Sequence, residues 1–210
     1  MHAGNRPQQK TVLLEQFSNY FINFRGCFFR ECAVFYVSEI KREAPEVFAT
    51  PLQKKVYETL AQNNIPFGRV DTDPGITMED CRNIDAAIGE RIVKTVFLCN
   101  RQQTVFYLYA MPADKPFITK DFGHALGISR VSFASGEKLM EIAGTEHGAT
   151  TVLSACLESA KDVHIIIDRQ VLENGHFCCT DGTATCFIKL DKSDLLDKFL
   201  PACGHVPTII

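Results

Sequence analysis

The sequence predicts an α/β (α+β) chain, a mixed β-sheet with helices packed around it. Several stretches of strand length are dense in β-branched and aromatic residues: RIVKTVFLC, TVFYLYAM, DVHIIID and TATCFIKL. Other stretches repeat apolar residues at helical spacing, as in PLQKKVYETLAQ. The two kinds of segment mix without strict strand–helix–strand alternation, which argues against a purely parallel sheet. With 46% apolar and 22% charged residues, the 210-residue chain can bury a substantial core.

The elements follow in order. Residues 11–24 place Leu13, Phe17, Tyr20, Phe21 and Phe24 on one helical face, and residues 26–40 fit either a strand or a second helix. Two prolines make residues 41–51 a connection. Residues 1–50 are therefore expected to be an N-terminal helical, aromatic extension, and 51–210 the main domain. That domain opens with a helix carrying Leu52, Val56 and Leu60, stopped at Asn63-Asn64-Ile65-Pro66. PFGRVD is a short strand. Thr77 is placed to cap the next helix, with Glu79 and Asp80 in its first turn. TKDFGHALG forms a helix ended by Gly127, and SFASGEKLMEIAG one capped by Ser135. TATCFIKL is the last strand, and Asp191 or Ser193 caps a closing helix.

Composition narrows the function. No apolar run reaches the eighteen or so residues needed to span a bilayer, and the N-terminus has no secretory-type apolar segment, so a cytoplasmic protein is expected with no membrane partner. The nine cysteines include no CxxC pair and no zinc-finger spacing, so no metal is expected, and the odd number fits reduced thiols. The net charge of −3 is uneven: residues 1–70 carry +3 and residues 71–210 carry −6. The larger part has no cationic excess with which to grip a long phosphate backbone, so any nucleic acid should be touched at a short end.

Lys94 is the conspicuous residue. In the strand ERIVKTVFLCN it shares a face with Val96 and Leu98, while Val93, Thr95 and Phe97 share the other. Its ammonium either snorkels to water at the sheet's end or lies on a pocket floor and meets an anionic or carbonyl-bearing ligand.

The order of segments brings in a resemblance. A helix ending NNIPFGRVD is followed by TMED, the lysine-bearing strand KTVFL, and a second strand running to MPADK. FGHALGISRVSFASGEKLMEIAG comes next, and then a final strand HFCCTDGTATCFI. This order resembles the YbaK-type aminoacyl-tRNA deacylase family, the editing domain of prolyl-tRNA synthetase and its free-standing relatives, over roughly residues 51–200. ALGISRVSFASGEKL is the most specific match. The resemblance implies a YbaK-like fold and hydrolysis of the ester of mischarged aminoacyl-tRNA, of which a prolyl-specific tRNA carrying a small amino acid is the family-level choice. It implies Lys94 as the catalytic residue, near the aminoacyl ester or the terminal adenosine. Thr95, Gly144, Gly148, Thr151, Cys178 and Gly182 are the implied substrate-binding residues. It implies no cofactor, the acceptor end of aminoacyl-tRNA as partner, and a water aided by the ribose hydroxyl of the tRNA; a homodimer is compatible with it.

The chain departs from the family pattern at two places. His147 and Val152 stand where the glycine-rich loop is expected to carry prolines, and Ser154 replaces its last glycine. Cys178 follows Phe177 where relatives often have histidine in an F-H-P motif. These departures motivate an alternative, a non-catalytic aminoacyl-tRNA sensor or regulator that keeps the fold. Thiol chemistry at Cys178-Cys179 is a third reading. No Ser-His-Asp context is present, and His147, His164 and His176 read as surface, packing or strand-end residues.

Overall fold

The computed structural model describes residues 35–74 and 78–210, without the side chains of residues 78 and 79. Residues 35–210 form one compact unit. The helix expected over 11–24, the first part of segment 26–40 and the Thr77 cap lie outside the described residues.

Helix α1 (Pro51–Gln62) starts where Thr50 accepts a hydrogen bond from the Gln53 amide, with Pro51 in the first turn, where its missing N–H costs nothing. Leu52, Val56 and Leu60 turn inward as expected. Strand β1 (Phe67–Asp71) follows, then helix α2 (Met78–Ile88), whose Ile84 and Ile88 are fully buried. Strands β2 (Val93–Cys99) and β3 (Phe106–Pro112) pair antiparallel, joined by a turn in which Gln103 takes a left-handed conformation. Helix α3 (Thr119–Leu126) ends at Gly127 with φ 64°, as the sequence predicts. The two-residue strand β4 (Ser132–Phe133) precedes α4 (Gly136–Lys138). Ser135 caps α4 by accepting from the Lys138 amide. The expected regular helix here continues instead as one wide π-turn, Leu139–Ala143, closed by Gly144 in the left-handed region.

The second half holds β5 (His164–Ile167), β6 (His176–Thr180), β7 (Cys186–Asp191) and the terminal β8 (Thr208–Ile209). Asp191 rather than Ser193 caps the closing helical segment, α5 (Lys192–Asp194) leading through Leu195–Phe199 into α6 (Leu200–Ala202). The stretch HFCCTDGTATCFI corrects the sequence reading: it is not one strand but the hairpin β6–β7. The reversal comes from Asp181, whose Oδ1 accepts from the Thr183 amide and hydroxyl, and from Gly182 at φ 96°.

The fold is mixed α/β, and the described strands divide between two sheets. One is antiparallel, β1-β7-β6; the other is mixed, β4-β2-β3-β5-β8, with β3, β5 and β8 parallel. A bridge from Ile92 to Cys178 links them. β2 shows why its sequence is so apolar. Val93 and Phe97 join the main core with α1, Phe177 and Ile188, whereas Leu98 joins a second cluster with Tyr107, Tyr109, Met111 and Phe122 of α3. Both faces of the strand are covered, and burying each such side chain stabilises the fold by about 1.5–3 kcal/mol.

Helix α1 is tied to the hairpin by the Asp181 carboxylate, which is wholly buried and accepts from Gln53 Nε2 at 2.8 Å and the Tyr57 hydroxyl at 3.2 Å. Next to it, a Cβ on Gly182 would stand 2.5 Å from Leu52 Cδ2 and 2.8 Å from Cγ. Gly182→Ala should therefore lower the unfolding free energy by about 2–3 kcal/mol, through overpacking and left-handed strain. Urea denaturation measures this; a loss below about 0.5 kcal/mol, the level of an ordinary surface change, would show the contact to be slack.

Candidate functional site

Lys94 sits opposite Met111 in the β2–β3 ladder, on the face that α3 covers. Its side chain is half-buried and reaches the loop that follows β3. There the ammonium donates to the carbonyl of Ala113 at 3.0 Å and to that of Lys115. Among the described residues it forms no ion pair with a carboxylate. Burial lowers its pKa from the ordinary lysine value, with the Asp114 carboxylate opposing. An ammonium has three N–H donors, so two spent on the loop leave one for a ligand.

The loop that Lys94 holds is anchored a second time. Lys115 Nζ pairs with Asp168 at 2.6 Å, and Asp168 also accepts from the Tyr109 hydroxyl at 2.8 Å and the Gln170 amide at 3.0 Å. Burial alone would raise the Asp168 pKa, but these donors outweigh it and hold the carboxyl below its ordinary value. Asp168 ends the strand-like run DVHIIID, and Lys115 ends MPADK. Neither carries a spacing signal that would single it out in the sequence, because their pairing crosses fifty-three positions.

Two clefts meet at this loop. One, of about 600 Å³, lies between α2, the start of β2 and residues 170–176. Its wall includes Ala113 and Lys115, the Arg91–Asp114 ion pair at 2.8 Å, and Asp85, which accepts from the Ile92 amide. The other, about 290 Å³, is bordered by Lys115, Asp168, Tyr109 and the side of α3.

The remaining residues named from the sequence do not gather around Lys94. Thr95 points to the opposite side of β2, where its hydroxyl is buried without a hydrogen-bond partner. Thr151 caps the short helical turn Val152–Cys156 and donates to Cys179 Sγ at 3.5 Å. Gly182 lies against Leu52 of α1, Gly144 lies against Leu157 with Leu52 further off, and a Cβ on Gly148 would meet no described atom within 4 Å. Cys178 is sealed between Ile84, Ile88 and Phe187 on the α2 side, and burial pushes its thiol well above the ordinary range. Cys179 faces the main core, pushed up to about 12 by burial. Neither thiol is ionised near neutrality, which removes the basis for thiolate chemistry there.

A profile of the aminoacyl-tRNA editing domain family matches residues 73–198. The chain is similar to the zebrafish (Danio rerio) prolyl-tRNA synthetase associated domain-containing protein 1, at 25% identity over 161 residues, covering 76% of this chain and 86% of that protein. It is also similar to the prolyl-tRNA editing protein ProX of Acetoanaerobium sticklandii, at 24% identity over 157 residues, covering 73% and 93%. Among solved structures, the fold is like that of the hypothetical protein APE2540, with TM-score 0.58, 19% identity and coverage of 74% and 97%. It is equally like that of a proposed trans-editing enzyme for prolyl-tRNA synthetase, with TM-score 0.58, 14% identity and coverage of 78% and 97%. Among the described residues no helix is long and apolar enough to cross a membrane.

The lowered pKa of Asp168 has a pH consequence. Its stabilisation is present above the unfolded carboxylate value of about 3.9 and is lost as pH falls through the lower folded value. Asp168→Asn should therefore be less stable than the parent at neutral pH and show a shallower acid limb. Urea midpoints measured from pH 6 down to pH 2 check this; parallel curves would mean that Asp168 contributes nothing to the acid limb.

Proposed function

The chain belongs to the aminoacyl-tRNA editing domain family, and on that premise we propose that it hydrolyses the ester of mischarged aminoacyl-tRNA in trans, with Lys94 at the reacting end. The observation that carries this reading is the Lys94 ammonium: half-buried, free of a carboxylate partner among the described residues, and with one N–H unspent. It stands behind Ala113 and Lys115, whose carbonyls it holds and which line the larger cleft where Lys94 itself does not.

An aminoacyl ester is already activated, so the protein needs to hold it and stabilise charge rather than supply a strong nucleophile. Water adds to the ester carbonyl carbon, and the remaining Lys94 N–H donates to the oxygen on which negative charge develops. The bond from that carbon to the ribose oxygen then breaks, releasing the amino acid and a free tRNA terminus. The ribose hydroxyl next to the ester takes up the proton of the attacking water and returns one to the leaving oxygen. Partial burial strengthens the Lys94 interaction, because fewer waters compete with it. The two loop carbonyls fix the ammonium's direction, so little reorganisation is needed when charge appears.

For the substrate, we infer a prolyl-specific tRNA carrying a small amino acid such as alanine; the names of the relatives support the prolyl-tRNA part of this reading. This substrate implies a cytoplasmic protein. A second reading is favoured by the sealing of Cys178: no polar side chain at that position reaches a cleft, which suits a module that binds charged tRNA without turning it over.

Purified protein mixed with alanyl-tRNA should release alanine faster than buffer does. Lys94→Ala should reduce the rate by about 10²–10³-fold, the usual loss on removing a donor to a developing oxyanion. Lys94→Arg should also be impaired, since a planar guanidinium cannot copy the three-way geometry of an ammonium. Full activity in Lys94→Ala would end the catalytic assignment; saturable tRNA binding by the parent chain with no ester loss would establish the binding module instead.

A further inference from the structure

Beyond the site at Lys94, α3 and the β2–β3 turn bound two adjoining clefts of about 520 and 700 Å³ that share Arg130. Lys120 and His124 line the first and Arg101 the second, and neither wall contains an Asp or Glu among the described residues. Among the described residues, Arg101, Lys120 and Arg130 form no ion pair. Other cations are engaged: Lys115 with Asp168, Arg91 with Asp114 and Lys138 with Glu141. An unneutralised cationic strip is conspicuous in a region that carries −6 overall. Phe133 of β4 directly follows Ser132, which lines the second cleft; it is 60% exposed and edge-on to Phe117 at 5.4 Å.

We propose that this strip is the docking surface for the phosphate backbone of the tRNA acceptor arm, with Arg101, Lys120 and Arg130 on phosphates and Phe133 stacking on an unpaired base. The identity of the occupant rests on the hydrolase reading above. Position supports it. Lys120 lies five residues after Lys115, whose carbonyl Lys94 holds, so it is at most about 17 Å along the chain from that loop. β2 carries Lys94 near one end and delivers the chain to Arg101 beyond the other, Cys99 being about 17 Å from Lys94 by strand rise. The strip therefore starts near the reacting end and runs away from it over the length of a few nucleotides. Three cations suit a short arm, in keeping with a chain that lacks the charge to track a long duplex. An exposed aromatic ring beside cations is the usual platform for a single-stranded base.

The test uses the full chain and uncharged tRNA as the probe, with fluorescence anisotropy read over a range of salt concentrations. The double variant Arg101→Glu/Arg130→Glu should weaken binding and lower the slope of log affinity against log salt by about 2, roughly one per lost phosphate contact. Phe133→Ala should weaken binding roughly five-fold or more and leave the slope unchanged. Thermal melts confirm that each variant folds. Unchanged affinity and slope in the double variant, the result expected if the strip serves a protein partner, overturn the surface, as does tRNA binding by the parent chain that is insensitive to salt. Failure of the parent to cleave alanyl-tRNA overturns only the hydrolase reading, because this binding assay does not require cleavage. Conversely, an unchanged kcat/KM for alanyl-tRNA in the double variant overturns the surface and leaves the hydrolase reading intact.

Discussion

A charged amine taken partly out of water must find oxygen acceptors, and the candidate site is built around how Lys94 does so. It projects from a strand whose two faces are both covered, one by the main core and the other by α3. The acceptors come from the backbone of residues 113–115. A carboxylate would have neutralised the ammonium; carbonyl dipoles hold it while leaving its charge unspent. The same contact fixes the loop, which Lys115 then fastens to Asp168, so one cation sets the wall shared by two clefts.

The Asp181 carboxylate performs a related task elsewhere. Buried and met by Gln53, Tyr57 and Thr183, it joins α1 to a hairpin more than a hundred positions later. Desolvating such a group is costly unless every lone pair is met, which makes the arrangement specific to one packing of α1. Gly182 belongs to that packing: it lies close under Leu52 and serves the approach of α1 to the hairpin, whereas Gly144 makes room chiefly for Leu157, whether or not a substrate also uses them.

The sequence made much of the fold legible because local chemistry settles local structure. Thr50, Ser135 and Gly127 sit at helix ends where their side chain, or lack of one, satisfies or permits the terminal geometry. The apolar runs at 93–99 and 106–112 are strands because both faces are buried. The hairpin within HFCCTDGTATCFI leaves a weaker mark, since apolar residues flank a turn whose signal is a single Asp-Gly pair. The π-turn at Leu139–Ala143 leaves no mark in periodicity, as the same residues fit an α-helix. Two sheets rather than one follow from which strands pair across long separations, as in β1 with β7.

The sequence by itself determined that this chain is a mixed α/β protein of the editing-domain kind, and that Lys94 is a cation among apolar neighbours. Its strands and helices are local outcomes of periodicity and capping, and its segments have a recognisable order. Only the tertiary structure decided where that cation goes. Whether an ammonium meets water, a carboxylate or a carbonyl depends on which backbone passes within about 3 Å of it, and that backbone is some twenty positions away in the chain. For the same reason Cys178 and Cys179, adjacent in sequence, end on opposite sides of a strand: one is shut against α2 and the other faces Thr151.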